Sequence, residues 1–255
     1  MAEAILLNQA KHSCSLHAIV YLDLLGTTSK IQKDPGDLYL NEIYSLYENV
    51  KILTKNGAFS EYGFNDIKVK IFSDNIILAI ELNTNNDILK ISRLLYFTSI
   101  MQTIAIIRHS WLMRGGITLG SLFIDDLLVW GSGLVRAYKL ESTFAIYPRI
   151  VIDPNIDSSI TTELREEKIW DSFFLEDVDG WSFLNFLNHY TAQDAQGNDN
   201  REKVLKDSFD RLLKNIEMPN EAYDKKVYQK VQWYKNYVNA WCKGNISSTC
   251  IPILE

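Results

Sequence analysis

The chain has 255 residues, 47% of them hydrophobic and 23% charged, which excludes collagen, mucin-like stalks and wholesale disorder and fits one globular domain with an appended region. A formal net charge of -6 offers no basic surface for neutralising nucleic-acid phosphates, so no nucleic-acid partner is expected. Any phosphate chemistry in such a chain calls for a bound cation.

From His17 to Asp23 the run HAIVYLD is β-branched and aromatic and ends in Leu25-Gly26-Thr27-Thr28, which predicts a buried strand leaving into a turn. Apolar residues at Leu38, Leu40, Ile43, Leu46, Tyr47, Val50 and Leu53 recur at helical spacing up to a stop at Asn56-Gly57. The stretch from Asp66 to Glu81 alternates as IKVKIF and IILAIEL around Ser73-Asp74-Asn75, the pattern of a tight hairpin with Asp74 at its tip. Asn86 to His109 predicts a helix capped at Asn85 or Asn86, followed by a second hairpin with strands near Met113 to Leu119 and Leu127 to Trp130. Gly131 to Thr143 reads as a helix and Arg149 to Asp153 as another strand. The order β-α-β-β-α-β-β-α-β gives an α+β fold with helices packed on a mainly antiparallel sheet.

Two regions follow from this order. Residues 1–153 form the core, and residues 154–255 form a mostly helical C-terminal extension packed on it, with helices over Lys203 to Ile216 and Glu221 to Lys243. The last helix carries Tyr223, Val227, Val231, Tyr234, Val238 and Trp241 on a stripe suited to the core or to a partner chain.

No stretch is long and apolar enough to span a bilayer, since Leu94 to Ile107 is broken by Thr98, Ser99, Gln102 and Thr103. The N-terminus lacks the basic and apolar blocks of a secretory signal, so no membrane partner and a cytoplasmic location are expected. Cys14, Cys242 and Cys250 form no CxxC pair and leave an odd thiol, as fits a reducing compartment. His12, His17, His109 and His189 are scattered without metal-ligand spacing, and no Gly-x-Ser-x-Gly elbow occurs. Gly131-Ser132-Gly133 lacks the rest of a phosphate-loop motif, and Asp125-Asp126 reads as a solvated turn.

Asp23 at a strand end and Asp74 at a hairpin tip can face one pocket, where paired carboxylates suit hard divalent cations. The turn after Asp23 leaves backbone N–H groups over Leu24 to Thr28 that can hold phosphate oxygens. Taken singly, either Asp is as well explained as a cap or turn residue.

The surrounding words sharpen the pair. Tyr21-Leu22-Asp23-Leu24-Leu25-Gly26-Thr27 resembles the first metal motif of class III nucleotidyl cyclases, and Lys70-Ile71-Phe72-Ser73-Asp74 resembles their second, with Ser73 where the family has Gly. Arg114-Gly115-Gly116-Ile117-Thr118-Leu119-Gly120 is similar to the family's Arg-x-Gly-Ile-x-x-Gly strand, and Trp130-Gly131 through Ala137, Leu140 and Glu141 to the helix after it. The likeness spans residues 17 to 152 in the family's order. It implies a cyclase-like fold with a ferredoxin-like core, and two Mg²⁺ or Mn²⁺ ions held by Asp23, Asp74 and Leu24. It also implies catalytic roles for Asp23, Asp74, Lys139 and Arg114, and a homodimer in which a partner copy supplies part of each site.

The departures matter too. Val135 and Lys139 stand where the family has its Asn and Arg, and Leu128 stands near the position of the adenine-reading acid, although Lys70 matches the other base-reading position. A lone cyclase-like domain with both metal Asp residues and a broken purine-reading set resembles the bacterial Pycsar antiphage cyclases. That resemblance implies UTP, or CTP, as substrate and a cyclic pyrimidine nucleotide as product, read by a separate effector. It also implies a base-selecting tyrosine at Tyr44 or Tyr47. Substrate-binding residues are then Gly26, Thr27, Thr28, Tyr44, Tyr47, Lys70 and Arg136. A catalytically inactive nucleotide- or partner-binding domain and a purine cyclase with unusual base contacts stay open.

Overall fold

A computed structural model of the protein describes residues 12–32, 34, 36–55, 62–83, 87–156, 170–215 and 225–246. Its centre is β1 (Ser15–Leu24), whose unbroken apolar run is paired on both edges. Antiparallel partners are β3 (Asn75–Glu81) on one side and β4 (Met113–Ile124) on the other. β2 (Lys68–Phe72) lies outside β3, and β5 (Val129–Trp130) folds back on the end of β4. β6 (Ile150–Ile152) runs parallel to β4 and carries β8 (Ser182–Leu184) and then β7 (Phe174–Glu176). The result is an eight-stranded sheet, β2-β3-β1-β4-β6-β8-β7 with β5 on β4, all antiparallel but for one pair. This is the α+β architecture that the sequence predicts.

Alternation along β1 gives each face its own layer. Val20 and Leu22 pack with Leu46 and Val50 of α2 (Leu38–Lys55) and with Leu94 and Phe97 of α3 (Ile88–His109). Ile19 packs with Ala79, Leu122 and Ala137 under α4 (Ser132–Lys139). The glycines of the Arg114 strand let α4 lie directly on the sheet. A Cβ at Gly116 would sit 2.4 Å from Leu140 Cβ and 2.5 Å from the Ala137 carbonyl, and one at Gly120 would sit 2.6 Å from Gly133 Cα.

Several elements differ from the sequence reading. Thr27–Gln32 forms a short helix, α1, where only a turn was expected. The predicted helix over Gly131 to Thr143 is α4 followed by a π-helical turn, Leu140–Phe144, closed by the Ala145 N–H on the Leu140 carbonyl at 3.0 Å. Leu127 and Leu128 are not in a strand, because their N–H groups donate to the Asp125 carboxylate at 2.9 and 2.7 Å, which makes a turn. The stops at Asn56-Gly57 and the caps at Asn85 or Asn86 lie outside the described residues.

Beyond Asp153 the chain adds a short helix α5 (Trp170–Phe173), β7 and β8 to the sheet, then α6 (Arg201–Asn215) and α7 (Lys225–Asn245). The two strands were not foreseen, because three-residue strands show no periodicity. Val231, Tyr234, Val238 and Trp241 of α7 are buried with Leu205, Phe209, Phe183 and Phe186, so this stripe serves the chain's own core. Tyr223 lies outside the described residues. Cys14 is a free thiol, while Cys242 is disulfide-bonded, which the expectation of a reducing compartment did not foresee. Among the described residues, no helix is long and apolar enough to cross a membrane.

Candidate functional site

Strand register brings the two predicted acids together. Asp23 pairs with Asn75 on one side and with Arg114 on the other, and Asp74 immediately precedes Asn75. Asp74 occupies a two-residue turn between Phe72 and Asn75, and its carbonyl accepts the Leu24 N–H at 3.1 Å, which ties the hairpin tip to the end of β1. The Asp74 carboxylate accepts from the Asn75 amide at 3.1 Å, and the Asn75 amide oxygen accepts the Tyr21 hydroxyl at 2.8 Å. Tyr47 donates its hydroxyl to the Ser73 carbonyl at 2.7 Å, so a residue of α2 also ends beside Asp74.

Arg114 supplies the positive charge. Its Nε donates to Asp23 Oδ2 at 2.9 Å, and its Nη2 lies 2.7 Å from Glu141 Oε1. Burial raises the Asp23 carboxyl above its ordinary value, Arg114 opposes this, and the Asp74 charge adds to it. Burial likewise pushes Glu141 up to about 7 against the pull of Arg114. Burial first, and then the charges of Glu141 and Asp23, push the Tyr21 hydroxyl up to about 12. Burial and the charges of Asp74 and Asp23 also raise Tyr47. These groups form one electrostatic cluster with an excess of negative charge.

That excess fits divalent cations. Asp23, Asp74 and the Leu24 carbonyl are hard oxygen donors at the meeting of β1 and the β2–β3 turn, and mutual repulsion of these half-buried carboxylates is relieved by a cation between them. Among the described residues, no group of three or more His, Cys, Asp or Glu side chains converges as a ready-made metal site. The Leu24 carbonyl also accepts the Thr27 hydroxyl at 2.6 Å.

The other predicted residues divide. Gly26, at φ 84°, makes the left-handed bend that starts α1, where Thr27 is buried and Thr28 exposed. The Leu24 and Leu25 N–H groups donate to the carbonyls of Asp74 and Leu112, so they do not belong to the phosphate-holding stretch expected over Leu24 to Thr28. Tyr44, Tyr47, Lys51, Val69 and Ile71 line a groove of about 260 Å³ between α2 and β2. Lys70 alternates with Val69 and Ile71 and so lies on the opposite face of β2, 3.9 Å from Asp126. Arg136 is engaged elsewhere, in a two-pronged pair with buried Asp153 at 2.7 and 2.8 Å, which Thr118 also joins at 2.7 Å. Val135 and Lys139 are on the exposed side of α4, turned away from the sheet.

Glu141 was quoted in the sequence only as part of a helix. The signal was present: Gly133, Ala137, Leu140 and Glu141 share the stripe of α4 and its π-turn that faces the sheet, and an acid on such a stripe needs a buried partner. Lys230 of α7 was missed as well, and its charge acts on both Asp23 and Glu141.

No family model matches the chain, and no curated protein matches it. Three solved structures are similar to it. One is the catalytic core of a rhodopsin-guanylyl cyclase with converted specificity in complex with ATPalphaS, at 12% identity and TM-score 0.45 over 68% of this chain and 97% of that one. Another is an adenylate/guanylate cyclase/hydrolase from Silicibacter pomeroyi, at 17% and 0.42 over 67% and 97%. The third is a class III adenylyl cyclase-like ATP-binding protein from Pseudomonas aeruginosa, at 7% and 0.43 over 60% and 36%. The topology stands on the strand pairing described above.

Proposed function

We propose that the chain is a metal-dependent nucleotide cyclase of the class III kind, converting a pyrimidine nucleoside triphosphate, UTP before CTP, into its 3',5'-cyclic monophosphate and pyrophosphate. The observation that carries this reading is the register that sets Asp23 beside Asn75 and Arg114 with Asp74 one residue away. Asp23, Asp74 and the Leu24 carbonyl would hold two ions, Mg²⁺ or Mn²⁺. Such ions, when bound, favour ionisation of the ribose 3'-hydroxyl and neutralise the departing pyrophosphate. Arg114 then contributes a guanidinium for phosphate oxygens, as bidentate recognition of phosphate favours. The residues at the start of α1, Gly26, Thr27 and Thr28, bound the same space.

Lys139 on the outward side of α4 suits a site completed by a second copy, in line with a homodimer. Tyr47, fixed beside Asp74, and Tyr44 and Lys70 on the neighbouring elements are the residues proposed for base selection. The product would serve as a second messenger in a cytoplasmic antiphage response, read by a separate effector. One observation favours a second reading, a domain that binds nucleotide without turnover: Arg114 occupies Asp23.

The test is incubation of the purified chain with ATP, GTP, CTP and UTP separately, with Mn²⁺ or Mg²⁺, resolving products by chromatography and mass. Cyclic UMP is expected, falling on the order of 100-fold or more in Asp23→Asn and Asp74→Asn while circular dichroism stays unchanged. A purine product overturns the base assignment. Nucleotide bound and never consumed gives the site to the binding reading.

A further inference from the structure

The Arg114 guanidinium carries two carboxylates at once, and they sit on different elements. Asp23 faces it across the β1–β4 ladder, with Nε to Oδ2 at 2.9 Å. Glu141 reaches it from the π-turn, with Nη2 to Oε1 at 2.7 Å. The two acids are not equivalent. The Glu141 side chain is 4% exposed and the Asp23 side chain 17%, and the cation in contact with Glu141 Oε1 is Arg114, with Lys230 acting on it by charge. An Asp23 carboxylate taken up by a divalent cation gives up some of its hold on the guanidinium, because the two cations repel and compete for the same oxygens. The released Nε end stays in place only if something else anchors the other end.

We infer that Glu141 is a positioning residue: it holds Arg114 in the site when Asp23 passes from the guanidinium to a divalent cation, so that one anchored positive charge is left facing the triphosphate. The triphosphate part of this role rests on the cyclase reading; the hand-over of Arg114 between Asp23 and Glu141 does not. Gly116 makes the arrangement possible, since only a residue without Cβ lets the turn bearing Glu141 approach β4 so closely.

Mn²⁺ binding to the full chain without nucleotide, followed by the electron paramagnetic resonance of free Mn²⁺, tests the hand-over. Arg114→Ala removes the competitor for Asp23 and should tighten binding about tenfold. Glu141→Gln, which keeps the shape of the buried side chain, frees the guanidinium to pair with Asp23 alone and should weaken binding by a similar factor. The double variant should match Arg114→Ala, because Glu141 acts through Arg114. Equal weakening by Glu141→Gln in the Arg114→Ala background would mean that the acid acts on the ion by its own charge, and overturns the inference. So does an Arg114→Ala chain that binds no more tightly than wild type.

Arg114→Lys leaves the buried acid untouched and provides a second reading that needs no Glu141 variant. One ammonium cannot span both acids; staying with Glu141, it should leave Asp23 open and tighten Mn²⁺ binding, whereas unchanged or weaker binding contradicts the anchor. A wild type that shows this coupling but makes no cyclic nucleotide keeps the inference and loses the cyclase reading. One that makes cyclic nucleotide without the coupling loses the inference alone.

Discussion

At the scale of single residues, the chemistry of this chain is decided by how few charges the sheet can bury. Glu141 is a costly one, because burial raises it from the ordinary 4.5 to about 7 even with Arg114 beside it. The folded chain therefore holds this proton more tightly than the unfolded chain does. The stabilisation is fully present below about pH 4.5 and is lost as pH rises toward 7, a fall of up to about 3 kcal/mol from this group. Asp23, also raised, acts in the same direction. Urea unfolding across that range should show wild type losing stability relative to Glu141→Gln as pH rises, whatever the lowered histidines His17, His109 and His189 add to both proteins. Parallel profiles for the two proteins would remove Glu141 as the source. Asp23 and Asp74 were legible in the sequence as strand-end and turn acids. Glu141 was not singled out, although its place with Ala137 and Leu140 on the sheet-facing stripe signals a buried acid, and Arg136, expected at the substrate, pairs with Asp153, which lies beyond the helix that carries it.

Elements with a strong period were read well, and those whose ends are set by tertiary contacts were not. The β2–β3 hairpin shows both. Its alternation located the turn at Ser73-Asp74, yet the backbone there is strained in a way that composition does not reveal: Ser73 adopts φ 56° at the first position of a two-residue turn, where hairpins favour glycine. The carbonyl of that same residue receives the Tyr47 hydroxyl, so the bend is held by a long-range contact. Ser73→Gly should stabilise the chain by about 0.5–1 kcal/mol, the relief of the left-handed strain exceeding the greater freedom glycine has when unfolded. Thermal unfolding is the measurement, and a lower midpoint would show that the Ser73 side chain contributes more than its backbone costs. The π-turn was beyond sequence reading for a related reason. An i→i+5 turn changes the phase of a helix without changing its composition, and here it is fixed by the packing of Leu140 and Glu141 on Gly116.

For the whole molecule, the C-terminal region joins the core through the β6–β8 pairing, an apolar cluster that includes Ile106 and Leu112, and a buried cation that also touches the turn bearing Glu141. Arg149, fully buried just before β6, pairs with Asp177 and Asp179 of the loop between β7 and β8, and its Nη2 donates to the Phe144 carbonyl at 3.3 Å. Trp233 of α7 donates to the same Asp177 at 2.7 Å and stacks on Tyr147 with ring centres 6.0 Å apart. None of this was legible, since an Arg between Pro148 and a short strand gives no sign of its acids about thirty residues on. Arg149→Met fills the space but leaves Asp177 and Asp179 without their cation, so it should cost about 3 kcal/mol in urea unfolding. Asp179→Asn should cost less, because that side chain is 38% exposed and water can replace part of what it loses. Release of the Phe144 carbonyl should also loosen the π-turn, so Arg149→Met should weaken Mn²⁺ binding in the manner of Glu141→Gln, although Arg149 touches neither Asp23 nor Arg114. Destabilisation with Mn²⁺ binding unchanged would confine Arg149 to joining the two regions, while a loss of both would make the C-terminal region a support of the site itself.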